Sequence, residues 1–279
     1  DVDLTQFWYF NTTRPEEMDI LTQEVRFTST TDSNLQWIFG AYMSDYERMM
    51  DSFLTFGPDA LGLGFVFAMP FEKIVEENTH NALFGNVSYE VDQWRYDIGL
   101  RYDKWEETEL NLDAETNGGI HSGKIDDTET LPRVSITRTL DNGSIAYFTT
   151  SRGYEPGGLN NGVPYTDSNG NRLLGSFNKE EATQNELGWK GTIRDGRTSI
   201  SVAYFDIDYQ DRAFQVVAPN PGGPGLIEYV TNIGDSEQNG LEFEITTKAT
   251  DNLTLSIAAG WVDSEFSKGT VLADGTDLS

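Results

Sequence analysis

The sequence predicts an all-β protein whose architecture is a transmembrane antiparallel up-and-down β-barrel. Three observations support this fold class: strands that alternate apolar and polar residues, strands longer than those of most soluble proteins, and connections that are alternately short and long. We expect roughly eleven strands in residues 1–279. Because bacterial single-chain barrels have an even number of strands, the chain is predicted to be a partial barrel, one portion of a larger one.

Alternation is clearest in two segments that have one apolar and one polar face. In WRYDIGLRYDKW, apolar residues occupy every second position from Trp94 to Tyr102, and residues such as Asp97 and Arg101 lie between them. NLTLSIAAGW repeats the pattern from Leu253 onward. A period of two residues indicates a strand with one face against an apolar environment. Several such segments exceed the five or six residues of typical soluble strands, as membrane-spanning strands do.

The connections between strands favour a barrel over a soluble sandwich. The short turns carry the Asp, Asn and Gly residues of tight hairpins, and long connections separate them. Short turns at one end and long loops at the other are typical of outer-membrane barrels. The short turns lie at 30–34, 90–93, 140–144, 193–199 and 248–253, and the long connections near 49–73, 107–130, 153–180 and 214–228.

Composition disfavours several functions. The chain carries 46 acidic and 19 basic side chains, a net charge of −27, whereas nucleic acid binding needs a basic surface. With no cysteine and two histidines, it has little material for a thiolate or His-based metal site or for a nucleophilic triad. We therefore expect no catalytic residue, no metal site, no cofactor, no enzyme activity and no nucleic acid partner.

Three consecutive segments resemble hairpins of TonB-dependent outer-membrane receptors. They are YFTTSRGYEPGGLN, in which an aromatic strand ends in Ser-Arg-Gly-Tyr and Pro-Gly-Gly, then EATQNELGWKGTIRDGRTSISVAYFDIDYQD, and then NIGDSEQNGLEFEITTKATDNLTLSIAAGWVDSEF. The earlier segments TQEVRFTS and LQWIFGAYMSDYER are similar to a preceding hairpin of that family. The resemblance is spread over most of the chain and implies a central-to-late portion of the barrel.

This resemblance implies a location in the outer membrane of a Gram-negative bacterium and a role in importing a bulky nutrient. The nutrient would be a ferric siderophore, a similar chelate or an oligosaccharide. Receptors of this family also contain a plug domain that contacts TonB, and no segment of residues 1–279 reads as a plug. The expected partners are outer-membrane lipid, the nutrient, TonB through a plug outside this chain and, if other chains complete the barrel, partner subunits of an outer-membrane complex.

Four residues on or near the proposed outer loops are candidates for contacting the nutrient: Arg152, Tyr154, Arg172 and Arg212. In TSRGYEPGGLN, Pro156 removes a ladder donor and the glycines permit non-strand dihedral angles, so regular pairing should weaken there. Strand termination alone explains this segment, and a ligand-facing rim with Arg152 and Tyr154 is the alternative. We expect Tyr147 and Phe148 near a membrane interface, where aromatic residues are favoured.

Other segments have simpler explanations. DSNGN at 167–171 resembles the start of a calcium loop, but its glycine is fourth rather than sixth and Asn178 stands where a bidentate glutamate belongs. A polar loop tip explains it better. The acidic residues within 106–109 and 126–129 are read as a solvated loop face. The apolar segment GLGFVFAMPF at 62–71 is expected to pack within an outer loop.

Three alternatives stay open at this point. The chain could be a plug-less barrel with a structural or assembly role, which a plug encoded upstream would contradict. It could be a soluble adhesin or carbohydrate-binding β-domain, whose apolar strand faces would be buried against a second sheet. It could be an outer-membrane enzyme, which would need a carboxylate, serine or histidine constellation at the rim.

Overall fold

The computed structural model describes residues 10–62, 64–113, 119–166, 172–219 and 226–267. Within these ranges the chain forms one sheet of 13 strands and a short 3-10 turn at Ala60–Gly62. None of the described segments is a helix long and apolar enough to cross a membrane. The strands are β1 Phe10–Thr13, β2 Glu16–Thr28, β3 Leu35–Phe56, β4 Phe67–Val91, β5 Trp94–Asp113, β6 Gly119–Thr139, β7 Ile145–Glu155, β8 Gly158–Thr166, β9 Arg172–Phe177, β10 Glu180–Ile193, β11 Thr198–Pro219, β12 Leu226–Thr250 and β13 Leu253–Phe266.

Most strands pair in chain order as an antiparallel meander. The order is β1-β3-β4-β5-β6-β7-β10-β11-β12-β13, and β2 also pairs with β3. Because β1 and β2 pair with opposite ends of β3, they form one edge strand interrupted at Arg14 and Pro15. The hairpin β8–β9 lies in the connection between β7 and β10 and touches β6 through a parallel contact of Ser122 with Leu173. The predicted fold class is confirmed, and the ten strands of the meander are close to the roughly eleven expected.

Several strands run further than the sequence pattern indicated. The predicted loops near 49–73 and 107–130 are mostly strand, because β3 and β4 pair as far as Phe56 and Phe67, and β5 and β6 as far as Asp113 and Gly119. The segment 62–71 is therefore only partly loop, and the Phe67 ring stacks on that of Phe56 at 4.8 Å. Where both faces of a strand meet water, apolar alternation disappears although pairing continues.

The two faces of the sheet have inverted polarity relative to a soluble protein. On the outer face, large apolar side chains are exposed, such as Leu83 at 64 %, Ile98 at 61 % and Ile257 at 63 %. On the inner face, polar side chains are buried, and Asp103 is 2 % exposed. A soluble domain would bury the apolar face against a second sheet, which the described residues do not do. The outer face therefore meets lipid, as in a transmembrane barrel.

The apolar band on β5 extends from Trp94 to Tyr102, with aromatic residues at both ends. Such residues are favoured at membrane interfaces. On β7, Phe148 lies on this face and is 41 % exposed, but Tyr147 points to the inner face, where its hydroxyl donates to Glu186 at 2.6 Å. The expectation that both aromatics lie at the interface is wrong for Tyr147, because successive strand residues point to opposite faces.

Glycine–aromatic pairs fix the register of the lower inner wall. Gly188 pairs directly with Tyr147, and a Cβ on Gly188 would lie 2.3 Å from the Tyr147 ring. Gly40 opposes Phe84 in the same way, with a Cβ-to-ring distance of 2.3 Å. In each pair the ring covers the space that a side chain would fill, an arrangement that pins one register of neighbouring strands.

Candidate functional site

Buried polar residues line the inner face above the apolar band. On β5 they are Asp103, Glu107, Glu109 and Asn111, on the same face as Trp105, and Asp103, Glu109 and Asn111 are each 2 % exposed. Neighbouring strands β4 and β6 flank β5 along this whole length. Burial of charge costs free energy unless partners compensate for lost water, so the partners define what this wall can do.

Asp103 is held by two neighbours. Its carboxylate accepts hydrogen bonds from Arg101 Nε at 2.8 Å and from His80 Nε2 at 2.7 Å. Because an ionised carboxylate is only an acceptor, Nε2 of His80 carries the proton. The Tyr42 ring meets His80 edge-on at 5.4 Å, and Arg101 lies 5.7 Å from the Tyr42 centroid. These contacts make a rigid polar layer rather than a free charge.

A more acidic layer lies above Asp103. Arg48 donates to Glu76 at 2.6 Å, and Glu107 lies close to both. Glu107 is five residues beyond Tyr102, where the exposed apolar band of β5 ends, and so lies outside the membrane-spanning segment. Burial, together with the charges of Glu76 and Glu109, raises the pKa of Glu107 to about 7. This carboxyl group can therefore change its charge near neutral pH.

A cluster of four charges joins β6, β7 and the start of β10. Arg152 contacts Glu181 directly and lies 3.5 Å from Glu129. Lys179 contacts Glu129 and lies 3.0 Å from Glu181. Two cations and two carboxylates balance each other here, so Arg152 is part of a neutral cluster rather than a free cation at the rim.

Arg212 occupies a separate place on β11, at a register shift between Tyr209 and Ala213. Its Nε lies 3.2 Å from the carboxylate of Glu180, and its guanidinium lies 4.3 Å from the Tyr209 ring centroid and 5.1 Å from that of Phe214. Aromatic faces favour a nearby cation, so these rings and Glu180 hold the guanidinium in one position.

The connection between β7 and β10 crosses the inner wall instead of leaving it. The amide of Gly157 donates to the carboxylate of Asp127 in β6 at 3.3 Å. The side chain of Asn160 bonds both the amide and the carbonyl of Val230 in β12, each at 2.8 Å.

The far end of the same connection is also bonded to β12. The side chain of Asn232 accepts from the amide of Asn178 at 2.7 Å and donates to its carbonyl at 3.0 Å. Both ends of the connection between β7 and β10 are therefore hydrogen-bonded to strands of the inner wall.

The structure brings some of the predicted residues together. Arg152 and Tyr154 lie on β7 opposite β10, where Tyr154 pairs with Glu181. Arg212 lies apart from them but next to the same strand through Glu180. Arg172 begins β9, and its side chain is outside the described residues, as is the segment 167–171.

Sequence reasoning missed the inner-face carboxylates and Lys179. Asp103, Glu107 and Glu129 are buried wall residues, whereas the acidic groups around 106–109 and 126–129 were expected on a solvated loop. The sequence offered little signal for them, because charged residues occur on both faces of β5 beyond Tyr102, as Glu106 and Glu107 do. Across the described ranges, no three His, Cys, Asp or Glu side chains are grouped closely enough to hold a metal ion.

A model of the family described as TonB dependent receptor-like, beta-barrel matches residues 2–279. A probable TonB-dependent siderophore receptor, PiuA of Acinetobacter baumannii, is 27 % identical over 202 residues, which are 72 % of this chain and 26 % of the relative. The ferrioxamine B receptor of Salmonella typhimurium is 25 % identical over 186 residues, 66 % of this chain and 23 % of the relative. The chain thus spans about a quarter of the length of these curated relatives.

Solved structures share the fold at low sequence identity. The ferric yersiniabactin uptake receptor FyuA from Yersinia pestis superposes with a TM-score of 0.72 at 18 % identity, covering 97 % of this chain and 39 % of that one. The siderophore receptor PiuA from Acinetobacter baumannii gives a TM-score of 0.64 at 19 % identity, covering 95 % of this chain and 41 % of that one. The sheet described above therefore has the form of a portion of a larger barrel.

Proposed function

Since the chain belongs to the TonB-dependent receptor family, we propose that it forms part of the wall of a receptor that imports a bulky chelate. The protein is located in the outer membrane of a Gram-negative bacterium. The cargo is a siderophore-type metal chelate, and transport is active, driven through TonB by a plug outside residues 1–279. Such import requires that the receptor bind the chelate and that the plug be displaced, but it requires no covalent chemistry.

The inverted polarity of the sheet carries this proposal. The outer face exposes residues such as Ile98 and Leu100, whereas the inner face buries Asp103 and Glu109. A wall with lipid on one side and fixed polar groups on the other surrounds a polar passage. A soluble carbohydrate-binding domain does not fit this arrangement, because its apolar faces would be buried.

The cargo is proposed to meet the upper inner wall near Arg152, Tyr154 and Arg212, with Arg172 on the adjoining hairpin. Both Arg152 and Arg212 are already paired with carboxylates. We therefore expect them to contribute shape and hydrogen bonds more than net positive charge. Replacing either with Gln should weaken cargo binding without removing the receptor from the membrane.

The test is uptake of radioactive iron by a strain that lacks the gene and by the same strain complemented with it. Iron would be supplied as ferrioxamine B and, separately, as a ferric catecholate, under iron limitation. The proposal expects at least one complex to enter only in the complemented strain, and a protonophore to abolish that entry. Entry that survives the protonophore would instead support a plug-less passive barrel. If neither complex enters the complemented strain faster than the strain that lacks the gene, the proposal that the protein imports these chelates is contradicted.

A further inference from the structure

A depression lies on the outer face of β2, β3, β4 and β5, at the level where the apolar band ends. Its volume is about 450 Å³, which is within the range of small-molecule pockets. Its lower row consists of residues that are paired directly across the four strands, Val25, Ala41, Leu83 and Tyr102. Since Ala41 has the smallest side chain of this row, it forms the floor between Val25 and Leu83. We name this depression the outer groove.

The upper row of the outer groove is mostly polar and carries a cation. It consists of Gln23, Met43, Asn81 and Lys104, again paired directly across the four strands. This row lies two residues, or about 7 Å along the strands, above the lower row. Because the exposed apolar band of β5 ends at Tyr102, the upper row lies at the outer boundary of the bilayer. The outer groove therefore runs from the level of the acyl chains to the level of the head groups.

Lys104 forms no ion pair with any residue that the structure describes. Its neighbours across the sheet are Asn81 of β4 and Thr128 of β6, and neither carries a charge. An ammonium group is a hydrogen-bond donor only, and its strongest partners are anionic oxygens. Lys104 therefore offers an anion a binding group at the head-group level.

The other two lysines on the outer face of β4, β5 and β6 differ from Lys104. Lys73 lies 3.7 Å from Asp51, and Lys124 lies 3.0 Å from Glu106. Both are therefore paired with carboxylates within the sheet. Of these three lysines, the unpaired one lies at the head of the outer groove.

The rows above the outer groove are acidic. Asp45 lies one row above Met43, and Glu47 and Glu77 lie opposite each other in the next row. These carboxylates would repel a second anionic group further from the membrane. The charges therefore favour a lipid whose phosphate lies next to its acyl chains.

The apolar row alone cannot make a lipid prefer the outer groove, because the surrounding acyl chains are equally apolar. Selection must come from the head group, where a lysine attracts anionic lipid and donates to phosphate oxygens. We propose that the outer groove holds one lipid of the outer leaflet, with an acyl chain on Ala41 and its phosphate at Lys104. This lipid site depends on the location of the protein in the outer membrane and not on the import of chelates.

The experiment is native mass spectrometry of the full-length protein released from detergent micelles. Phosphatidylglycerol and a neutral glucosyl diacylglycerol with the same acyl chains are added separately, and the fraction of protein with one bound lipid is measured. We expect phosphatidylglycerol to bind about five-fold more tightly, which corresponds to the contribution of one lysine near a lipid surface. This preference should decrease as ionic strength rises.

Two variants test the head-group contact. Lys104→Gln should remove the preference for phosphatidylglycerol and leave the affinity for the neutral lipid unchanged. Lys73→Gln is the control, because it is the same change on the same face of the sheet but outside the outer groove. It should retain the preference of the native chain.

Two further variants test the position of the acyl chain. Ala41→Phe fills the floor of the outer groove and should weaken the binding of both lipids. Ala259→Phe is the same change on the lipid-facing side of β13, opposite Phe243, and should leave the binding of both lipids unchanged. All four substitutions lie on the outer face and leave the inner wall intact.

Several outcomes would overturn the proposal. Equal affinity of the native chain for the two lipids would show that the outer groove does not select phosphate. A preference that Lys104→Gln retains, or that Lys73→Gln also removes, would refute the role of Lys104. Unchanged lipid binding in Ala41→Phe would place the acyl chain elsewhere. Because none of these measurements involves a chelate, failure of the proposed import would be seen separately in the uptake assay.

Discussion

The lower and upper halves of the same strands are stabilised in different ways. From Trp94 to Tyr102, β5 presents an apolar face to lipid, and the inner wall at this level contains glycine–aromatic pairs such as Gly40 with Phe84. From Asp103 to Glu109, the outer face carries the polar residues Lys104, Glu106 and Thr108, and the inner face buries the carboxylates of Asp103, Glu107 and Glu109. Contact with lipid and the glycine–aromatic pairs therefore fix the strand register in the lower half, whereas specific charge contacts fix it in the upper half. Substitutions at matched positions should separate these two contributions.

The largest effect is expected for Ile98→Arg, at the middle of the apolar band of β5. A guanidinium at this depth loses water on the lipid side and should cost about 2–4 kcal/mol of the free energy of unfolding. Urea titration of the protein in lipid vesicles, followed by tryptophan fluorescence, measures this. Thr108→Arg, on the same face of the same strand but above the band, should change stability by less than about 0.5 kcal/mol. Equal costs at both positions would mean that the band does not face lipid.

The second largest effect is expected for Asp103→Ala. This substitution removes the carboxylate to which His80 and Arg101 donate hydrogen bonds, at a position that is 2 % exposed. Since both partners keep some contact with water, we expect a loss of about 2 kcal/mol in the same titration. Asp126→Ala removes an exposed carboxylate from the outer face of β6 and serves as the control, with almost no change expected. A neutral Asp103→Ala would show that the charge contacts do not stabilise the upper wall.

Gly188→Ala tests the lower inner wall. The added Cβ would meet the Tyr147 ring at 2.3 Å, so the ring must leave its place and its hydrogen bond with Glu186 must move. We expect a cost of about 1–2 kcal/mol from this overpacking. Gly153→Ala is a matched change, since nothing lies within 4 Å of the Cβ position, and it should be neutral. If the two variants are equally stable, the glycine–aromatic pair does not fix the register.

The smallest effect is expected at the short-turn end. Arg197 and Asp251 lie 3.7 Å apart, with side chains that are 49 % and 90 % exposed. Water and salt screen such a pair, so Arg197→Gln should change the free energy of unfolding by less than about 0.5 kcal/mol, again by urea titration. A larger loss would indicate that ion pairs at the short turns also stabilise the lower half, in addition to the lipid contacts and the glycine–aromatic pairs.

Sequence reasoning identified the lower half well because lipid imposes a simple rule there. Apolar residues recur at every second position of β5 and β13, and the tight turns carry Asp and Gly, as at Asp195 and Gly196. The structure confirms these features. The upper half obeys no such rule, since both faces are polar and Glu106 and Glu107 look alike in sequence although only Glu107 is buried.

The contacts at the upper end of the inner wall could not be predicted from the sequence for a related reason. The bond of Asn160 with Val230 joins residues 70 positions apart, and the contacts of Arg152 with Glu129 and Glu181 join three strands. Such contacts depend on how the meander curves and where the connection crosses, which local patterns do not encode. Pro156 and its neighbouring glycines correctly indicated that a strand ends there, since β7 stops at Glu155, but not that the chain then turns inward.

The length of the strands determines where incoming molecules first meet the protein. The eleven residues of β5 beyond Tyr102 rise about 30 Å along the membrane normal at the usual strand tilt. That height is comparable to the hydrophobic thickness of the membrane itself. The rim therefore stands clear of the lipid headgroups, and a solute approaching from outside encounters the acidic wall before it reaches the depth of the bilayer.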